Sequence, residues 1–192
     1  DPSQVLKTVF KLEEFRGQQL EICSAALDKK DLLVIMQTGG GKSLTYQLPA
    51  VMDKGVTLVV SPLLALIQNQ VDSLLYLKIK AGSLNSTIKK KEKDALMKDL
   101  QSKTPLIKLL YVTPELLASE SFRSVIKKLY ASGNFARLVI DEAHCISEWG
   151  HDFRDDFRKL NYWKSAFPSL PISALTATAT DTVQKDIMQS LN

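Results

Sequence analysis

Cysteine is scarce in this sequence: Cys23 and Cys145 are its two, far apart and without the close spacing of a metal knuckle. That excludes a disulfide framework, fits a reducing compartment and gives no reason to expect zinc in this segment. Also missing are a run of ~18 apolar residues and a charged-then-apolar leader, so neither a membrane span nor a secretory signal is expected. The first residue is Asp1 rather than methionine, and the chain reads as a soluble segment excised from a longer protein. No repeat, low-complexity tract or long linker divides the 192 residues, so one domain with a sizeable core is expected. Neither sign of charge dominates: the formal net charge of +4 is compatible with an anionic partner and does not demand one. The densest basic run, Lys89-Lys90-Lys91-Glu92-Lys93, shares helical spacing with Ile88, Ala95, Leu96 and Leu100 and reads as a solvated helix face.

What the sequence does have is a series of short apolar runs: Leu32–Met36, Val56–Val60, Ile107–Tyr111, Arg137–Ile140 and Ile172–Leu175. A further short strand is placed at Lys78–Ser83. Near-continuous apolar strands belong to a sheet covered on both faces. The stretches Lys42–Met52, Leu63–Leu77, Ser86–Leu100, Ser119–Tyr130, Asp155–Phe167 and Thr182–Leu191 read as helices. This alternation predicts an α/β fold with a mostly parallel, doubly wound sheet. In such folds ligands sit beyond the carboxyl ends of the strands. There the chain places Gln37–Ser43, Ser61-Pro62, Thr113-Pro114-Glu115, Asp141–His144 and Thr176-Ala177-Thr178.

Gly39, Gly40 and Gly41 let the backbone fold into a cup of inward-pointing amides after Thr38, and a helix starting near Lys42 adds its positive end. Lys42 would reach the β and γ phosphates of a nucleotide, and the Ser43 hydroxyl would ligate magnesium. Met36 stands where the strict loop pattern has glycine, which is tolerable if its side chain points into the sheet. Asp141 emerges at a strand tip, where its carboxylate would hold the metal through water, and Glu142 is placed to deprotonate an attacking water. The distance along the chain from Lys42 leaves room for Asp141 to return on a strand next to the first. Trp149, His151, Phe153 and Arg154 follow at once. Aromatic rings there would stack on unpaired bases, or Trp149 and Phe153 would form a small core cluster under a loop.

Met36–Ser43, Ser61-Pro62-Leu63, Tyr111–Glu115, Asp141–Arg154 and Ala174–Ala179 together strongly resemble the RecQ family of DNA helicases. The resemblance covers nearly the whole chain, and its most specific part is Asp141–Arg154. It implies the first of two RecA-like P-loop NTPase domains, with ATP and magnesium as cofactors and single-stranded or forked DNA as partner. It also implies 3′ to 5′ movement driven by hydrolysis, a nuclear site in a eukaryote and a monomer. Phe15-Arg16-Gly17-Gln18-Gln19 resembles the family's adenine motif, spanning about 12–19, with Gln19 on the adenine edge and Arg16 packed on the base. Read without the family, Arg16 and Gln19 decorate a helix start. Gly17 departs from the family's usual proline. By resemblance Trp149, His151, Phe153 and Arg154 would sense DNA, His144, Thr176 and Thr178 would couple the nucleotide to domain movement, and Ser61 and Thr113 would touch the DNA backbone. Otherwise Ser61 and Thr113 are hydroxyl helix caps. Ser83–Ser86 and the Leu66–Leu77 neighbourhood look most like the short, fifth-paralogue branch. The second RecA-like domain, with its arginine finger, is expected outside this chain.

Overall fold

Each apolar run forms a strand because its residues alternate between two cores. In the computed structural model, which describes residues 1–37 and 41–191, Leu58 and Val60, Leu110 and Val112, Leu138 and Ile140, and Ala174 belong to one buried cluster. Val59, Leu109, Tyr111, Val139 and Leu175 belong to the other. Period-two alternation thus survives inside runs that look uniformly apolar, since both faces are covered.

The elements in chain order are α1 (Pro2–Thr8), α2 (Gln19–Leu27), β1 (Leu32–Ile35), α3 (Leu44–Met52), β2 (Val56–Val60), α4 (Leu64–Tyr76), β3 (Ala81–Leu84), α5 (Lys90–Leu100), β4 (Leu109–Val112), α6 (Pro114–Leu117), α7 (Glu120–Ala131), β5 (Phe135–Ile140), α8 (Asp155–Arg158), α9 (Tyr162–Ala166), β6 (Ile172–Thr176) and α10 (Asp181–Leu191). Turns of 3-10 helix lie at Ala143–Ile146 and Lys159–Asn161. The six strands run in the order β1-β6-β5-β2-β4-β3, every pair parallel. Helices α1 to α4 pack residues such as Leu6, Cys23, Leu48 and Ile67 on one face. Helices α5 to α10 cover the other with Leu100, Leu117, Ile126, Phe157, Trp163 and Ile187.

Four expectations need correction. The strand that ends in Asp141 does not lie next to β1, because β6 is inserted between them, and this insertion carries Thr176 into the middle of the site. The helix expected over Asp155–Phe167 is one rod tightened in its middle: Phe157, Leu160 and Trp163 are all buried, and a turn of three residues aligns such a spacing on one face. Helix α1 was not read from the pattern, although Asp1 caps it by accepting from Ser3 N at 3.0 Å ahead of Pro2, whereas α2 starts at Gln19, as the helix-start reading of Arg16 and Gln19 has it. The third and fourth strands lie one to three residues further along the chain than expected, at Ala81–Leu84 and Leu109–Val112.

Buried polar groups tie the layers together. Tyr46 of α3 and Tyr111 of β4 share a hydrogen bond of 2.8 Å, and Gln47 donates to Tyr111 at 3.1 Å and to Gln70 of α4 at 2.8 Å. Arg137, 2% exposed, donates to the carbonyls of Ala26 and Lys30 and to Ser173 Oγ, so β5 caps the carboxyl end of α2.

Candidate functional site: a lysine between two carboxylates

Thr38, Gly39 and Gly40, expected to cup a phosphate, lie outside the described residues. On either side the chain is well placed. Met36 N donates to Thr176 O at 3.1 Å, extending the β1–β6 ladder, and the Met36 side chain packs against the α1–α4 core as anticipated. Gly41 has φ 77°, and a Cβ there would collide with Gln19 Nε2, so only glycine fits this approach. Lys42 and Ser43 form a turn before α3, which begins at Leu44 rather than at Lys42.

Strand ends bring the reactive groups together. Lys42 Nζ stands 3.0 Å from Asp141 Oδ1 and 3.5 Å from Glu142 Oε1. The ammonium bridges both carboxylates in a partly buried setting, where such pairs are less screened than on the surface. Glu142 has φ 56°, a left-handed conformation uncommon for a residue with a side chain, and its N–H is held by Asp141 Oδ1 at 3.0 Å. Its other oxygen, Oε2, lies 3.6 Å from His144 Nδ1. His144 is buried, and the same Nδ1 shares a 2.8 Å hydrogen bond with Thr176 Oγ1. Thr176 in turn donates to Thr178 O at 3.1 Å, while Thr178 itself is exposed. Burial holds the His144 pKa below its ordinary 6.5, with Glu142 opposing and His151 and Lys42 assisting. The imidazole is therefore neutral at pH 7.

Across the ring, His151 stacks on His144 with centroids 4.4 Å apart. Cys145 and Asp152 close the other side: the thiol, pushed up to about 12 by burial, donates to Asp152 Oδ2 at 3.9 Å. His144, Cys145 and Asp152 have donor atoms within 4.8 Å of one another, a grouping that linear spacing did not show. The protonated thiol makes it a clasp between the two motifs. Arg154 bonds the same Asp152 oxygen at 3.3 Å. Trp149 is 75% exposed, so it is no core residue, and Phe153 is half-buried with the Arg158 guanidinium 5.9 Å from its ring.

Other expected residues fall in two places. Gln19 is buried: its Oε1 accepts from Arg16 N at 2.8 Å and its Nε2 donates to Gly41 O at 3.1 Å, which ties the 12–19 segment to the phosphate loop. The Arg16 side chain is exposed beside them. Gly17 has φ 52°, which proline cannot adopt, so its departure from the family pattern changes the path of this turn. Thr113 and Arg154 meet across a groove of about 860 Å³ whose walls include Asn85, Lys93 and Phe157. Lys93, at the end of the basic run, lines the groove too, although in the sequence it reads as part of a solvated helix face. Ser61 is buried next to the groove residue Pro62, and its Oγ accepts from Leu63 N at 3.5 Å, a bond to the residue before α4 that does not cap the helix.

With this geometry in hand, comparison with known proteins gives a match to the DEAD/DEAH box helicase family over residues 16–186. The chain belongs to that family. Within it, the RecQ resemblance holds. ATP-dependent DNA helicase Q5 of Rattus norvegicus is 49% identical over 189 residues, 97% of this chain and 19% of that protein. RecQ-like DNA helicase BLM of Xenopus laevis is 49% identical over 183 residues, 95% of this chain and 13% of that one. Equal identity to both does not single out the fifth-paralogue branch, and the chain spans a fifth or less of these two relatives. The crystal structure of DUF1998 helicase MrfA bound to DNA and AMPPNP has the same fold, with a TM-score of 0.74 at 16% identity over 97% of this chain and 28% of that one. The fold is that of a RecA-like helicase domain. Among the described residues no helix is long and apolar enough to cross a membrane.

Proposed function

We propose that this DEAD/DEAH box domain is the ATP-hydrolysing half of a RecQ-type DNA helicase, which moves 3′ to 5′ on single-stranded DNA and unwinds duplexes during repair and recombination. The observation that carries the reading is Lys42 between Asp141 and Glu142 at the ends of strands separated by the one bearing Thr176. The donor set fits a magnesium nucleotide: a hydroxyl at Ser43, a carboxylate at Asp141 and a cation poised to leave them for phosphate oxygens. Magnesium, when bound, neutralises charge on the phosphates. Lys42 would meet the β and γ phosphates in place of its carboxylate partners, and Ser43 and Asp141 would hold the metal. Thr38, Gly39, Gly40 and Gly41 would bind the phosphates, and Arg16 and Gln19 the adenine. Glu142 accepts the proton of the attacking water, with His144 neutral beside it.

The DNA strand crosses the groove walled by Thr113 and Arg154, with Ser61 beside it and Trp149 and Phe153 offering stacking faces. His151, stacked on His144, and the Thr176–Thr178 link connect that groove to Glu142. A second RecA-like domain of the complete, monomeric protein, nuclear if the source is a eukaryote, would supply the arginine finger, whose absence costs on the order of 10³-fold in rate.

The test compares DNA-stimulated and unstimulated ATP hydrolysis by the complete protein with its Lys42→Ala and Trp149→Ala variants. Lys42→Ala abolishes hydrolysis. Trp149→Ala keeps nucleotide affinity and the unstimulated rate but loses stimulation by DNA. Equal loss of nucleotide affinity in both sinks the sensor role of Trp149, and stronger stimulation by RNA than by DNA sinks the choice of substrate.

A further inference from the structure

The edge of the sheet opposite the nucleotide site carries a second large concavity, about 840 Å³, which the helicase reading does not use. It lies where strands begin and helices end: Lys80 precedes β3, Lys108 precedes β4, Val51 is in the last turn of α3, and Tyr76 to Lys78 close α4. Its floor is aliphatic, built from Val9, Val51, Leu77 and Ile79. Its rim carries Lys11, Lys78 and Lys80, and Lys108 lines it with its ammonium donating to the Asp53 carbonyl at 2.7 Å. No carboxylate lines it, and among the described residues Lys11, Lys78 and Lys80 form no ion pair. Beside the lysines stand two apolar side chains open to water, Tyr76 at 87% and Leu106 at 69% exposure. A lysine after a helix is ordinary, since it offsets the negative end of the helix dipole. Lys11, Lys80 and Lys108, however, sit outside the last turn of α4 and converge on the same hollow.

Backbone conformation adds a second, independent observation. Lys78 has φ 65° and Lys11 φ 60°, the left-handed region. Lys78 N bonds Leu75 O and Ile79 N bonds Leu74 O, the arrangement that ends a helix most comfortably on glycine, as Gly133 ends α7. The other lysine in this position, Lys29 after α2, is held by an ion pair with Asp53. Lys78 occupies the strained position with no such partner among the described residues, and it lines the cleft.

We propose that this cleft binds an acidic peptide segment of a partner protein, in which carboxylates alternate with large aliphatic side chains. The aliphatic groups would sit on the Val9–Val51–Leu77–Ile79 floor against Tyr76 and Leu106, and the carboxylates would meet Lys11, Lys78 and Lys80. Nucleic acid fits less well. The rim has no arginine to grip phosphate in two-pronged fashion, a single aromatic ring is present for stacking, and the aliphatic floor has nothing to offer a base edge.

The experiment measures fluorescence anisotropy of a labelled peptide of repeating Glu-Asp-Leu with the full chain, beside a Lys-Ser-Leu control and a labelled single-stranded oligonucleotide. Lys78→Gly and Lys80→Glu are combined, since glycine suits the backbone at 78 and keeps the fold. The acidic peptide binds the unaltered chain above the control, weakens as salt rises, and loses about tenfold or more in the double variant, the range for removal of close charge pairs. ATP hydrolysis stays unchanged there, because neither residue touches that site. No preference for the acidic peptide, or equal affinity in both proteins, overturns the proposal. So does loss of oligonucleotide binding alone in the variant, which would make the cleft a nucleic-acid site.

Discussion

Lys42 illustrates what a residue's neighbours can and cannot be told from a linear pattern. That it belongs with Asp141 and Glu142 was legible, because a glycine-rich turn and an acidic pair each follow an apolar run. That the ammonium stands 3.0 Å and 3.5 Å from the two carboxylates depends on the left-handed turn at Glu142, which nothing in the residue type announces. His144 is similar: its place after the acidic pair was plain, whereas its burial and its bond to Thr176 come from strand order. Its depressed pKa makes a prediction about pH. The unfolded chain binds a proton at His144 as pH falls through about 6.5, while the folded chain does so only at lower pH, so stability falls on acidification and levels off below the folded pKa. Urea denaturation at about pH 7.5 and about pH 5.5 should show a larger loss for the unaltered chain than for His144→Gln. Identical losses would remove His144 as the cause. Lys78 yields a second prediction: Lys78→Gly relieves a left-handed side-chain residue and raises stability by about 1 kcal/mol in thermal or chemical unfolding. A drop would mean that the lysine stem packs usefully on the cleft.

At the scale of elements, the strands were readable because both of their faces are buried, which leaves a run of Val, Leu and Ile with little else to become. Helices were readable where polar and apolar residues separate cleanly, as in α7 and α10. Helix α2 was legible at its start alone: Arg16 and Gln19 suit a helix beginning, which lies at Gln19, while the same Phe15–Gln19 segment also invites a binding reading. The rod from α8 to α9 was expected as an ordinary helix, yet the spacing of Phe157, Leu160 and Trp163 favours the tighter turn. Trp163 is fully buried, stacks with Phe167 at 5.5 Å and meets Phe135 edge-on at 6.3 Å, while its indole N–H has no partner among the described residues. Replacing it by phenylalanine therefore sacrifices no hydrogen bond and costs less than about 2 kcal/mol, whereas Trp163→Ala costs about 3 to 5 kcal/mol through lost packing and a cavity. Denaturant midpoints of the two variants check the contrast. Equal costs would show that the indole contributes more than volume.

For the whole molecule, the strand order decides how stability is distributed. β1 has β6 as its one strand neighbour, pairing Leu32 with Ser173 and Ile35 with Thr176, whereas β2 lies between β5 and β4. Amide hydrogen exchange should therefore find β1 opening at lower free energy than β2, since an edge strand has fewer bonds to break. Protection of β1 equal to that of β2 would contradict this. The same pairing has a consequence during synthesis. β1, the strand that leads into the segment expected to hold phosphate, leaves the ribosome well ahead of β6, its neighbour in the sheet. Until β6 arrives, Leu32–Ile35 is an unclaimed apolar strand, and the nucleotide site is the last part of the sheet to close.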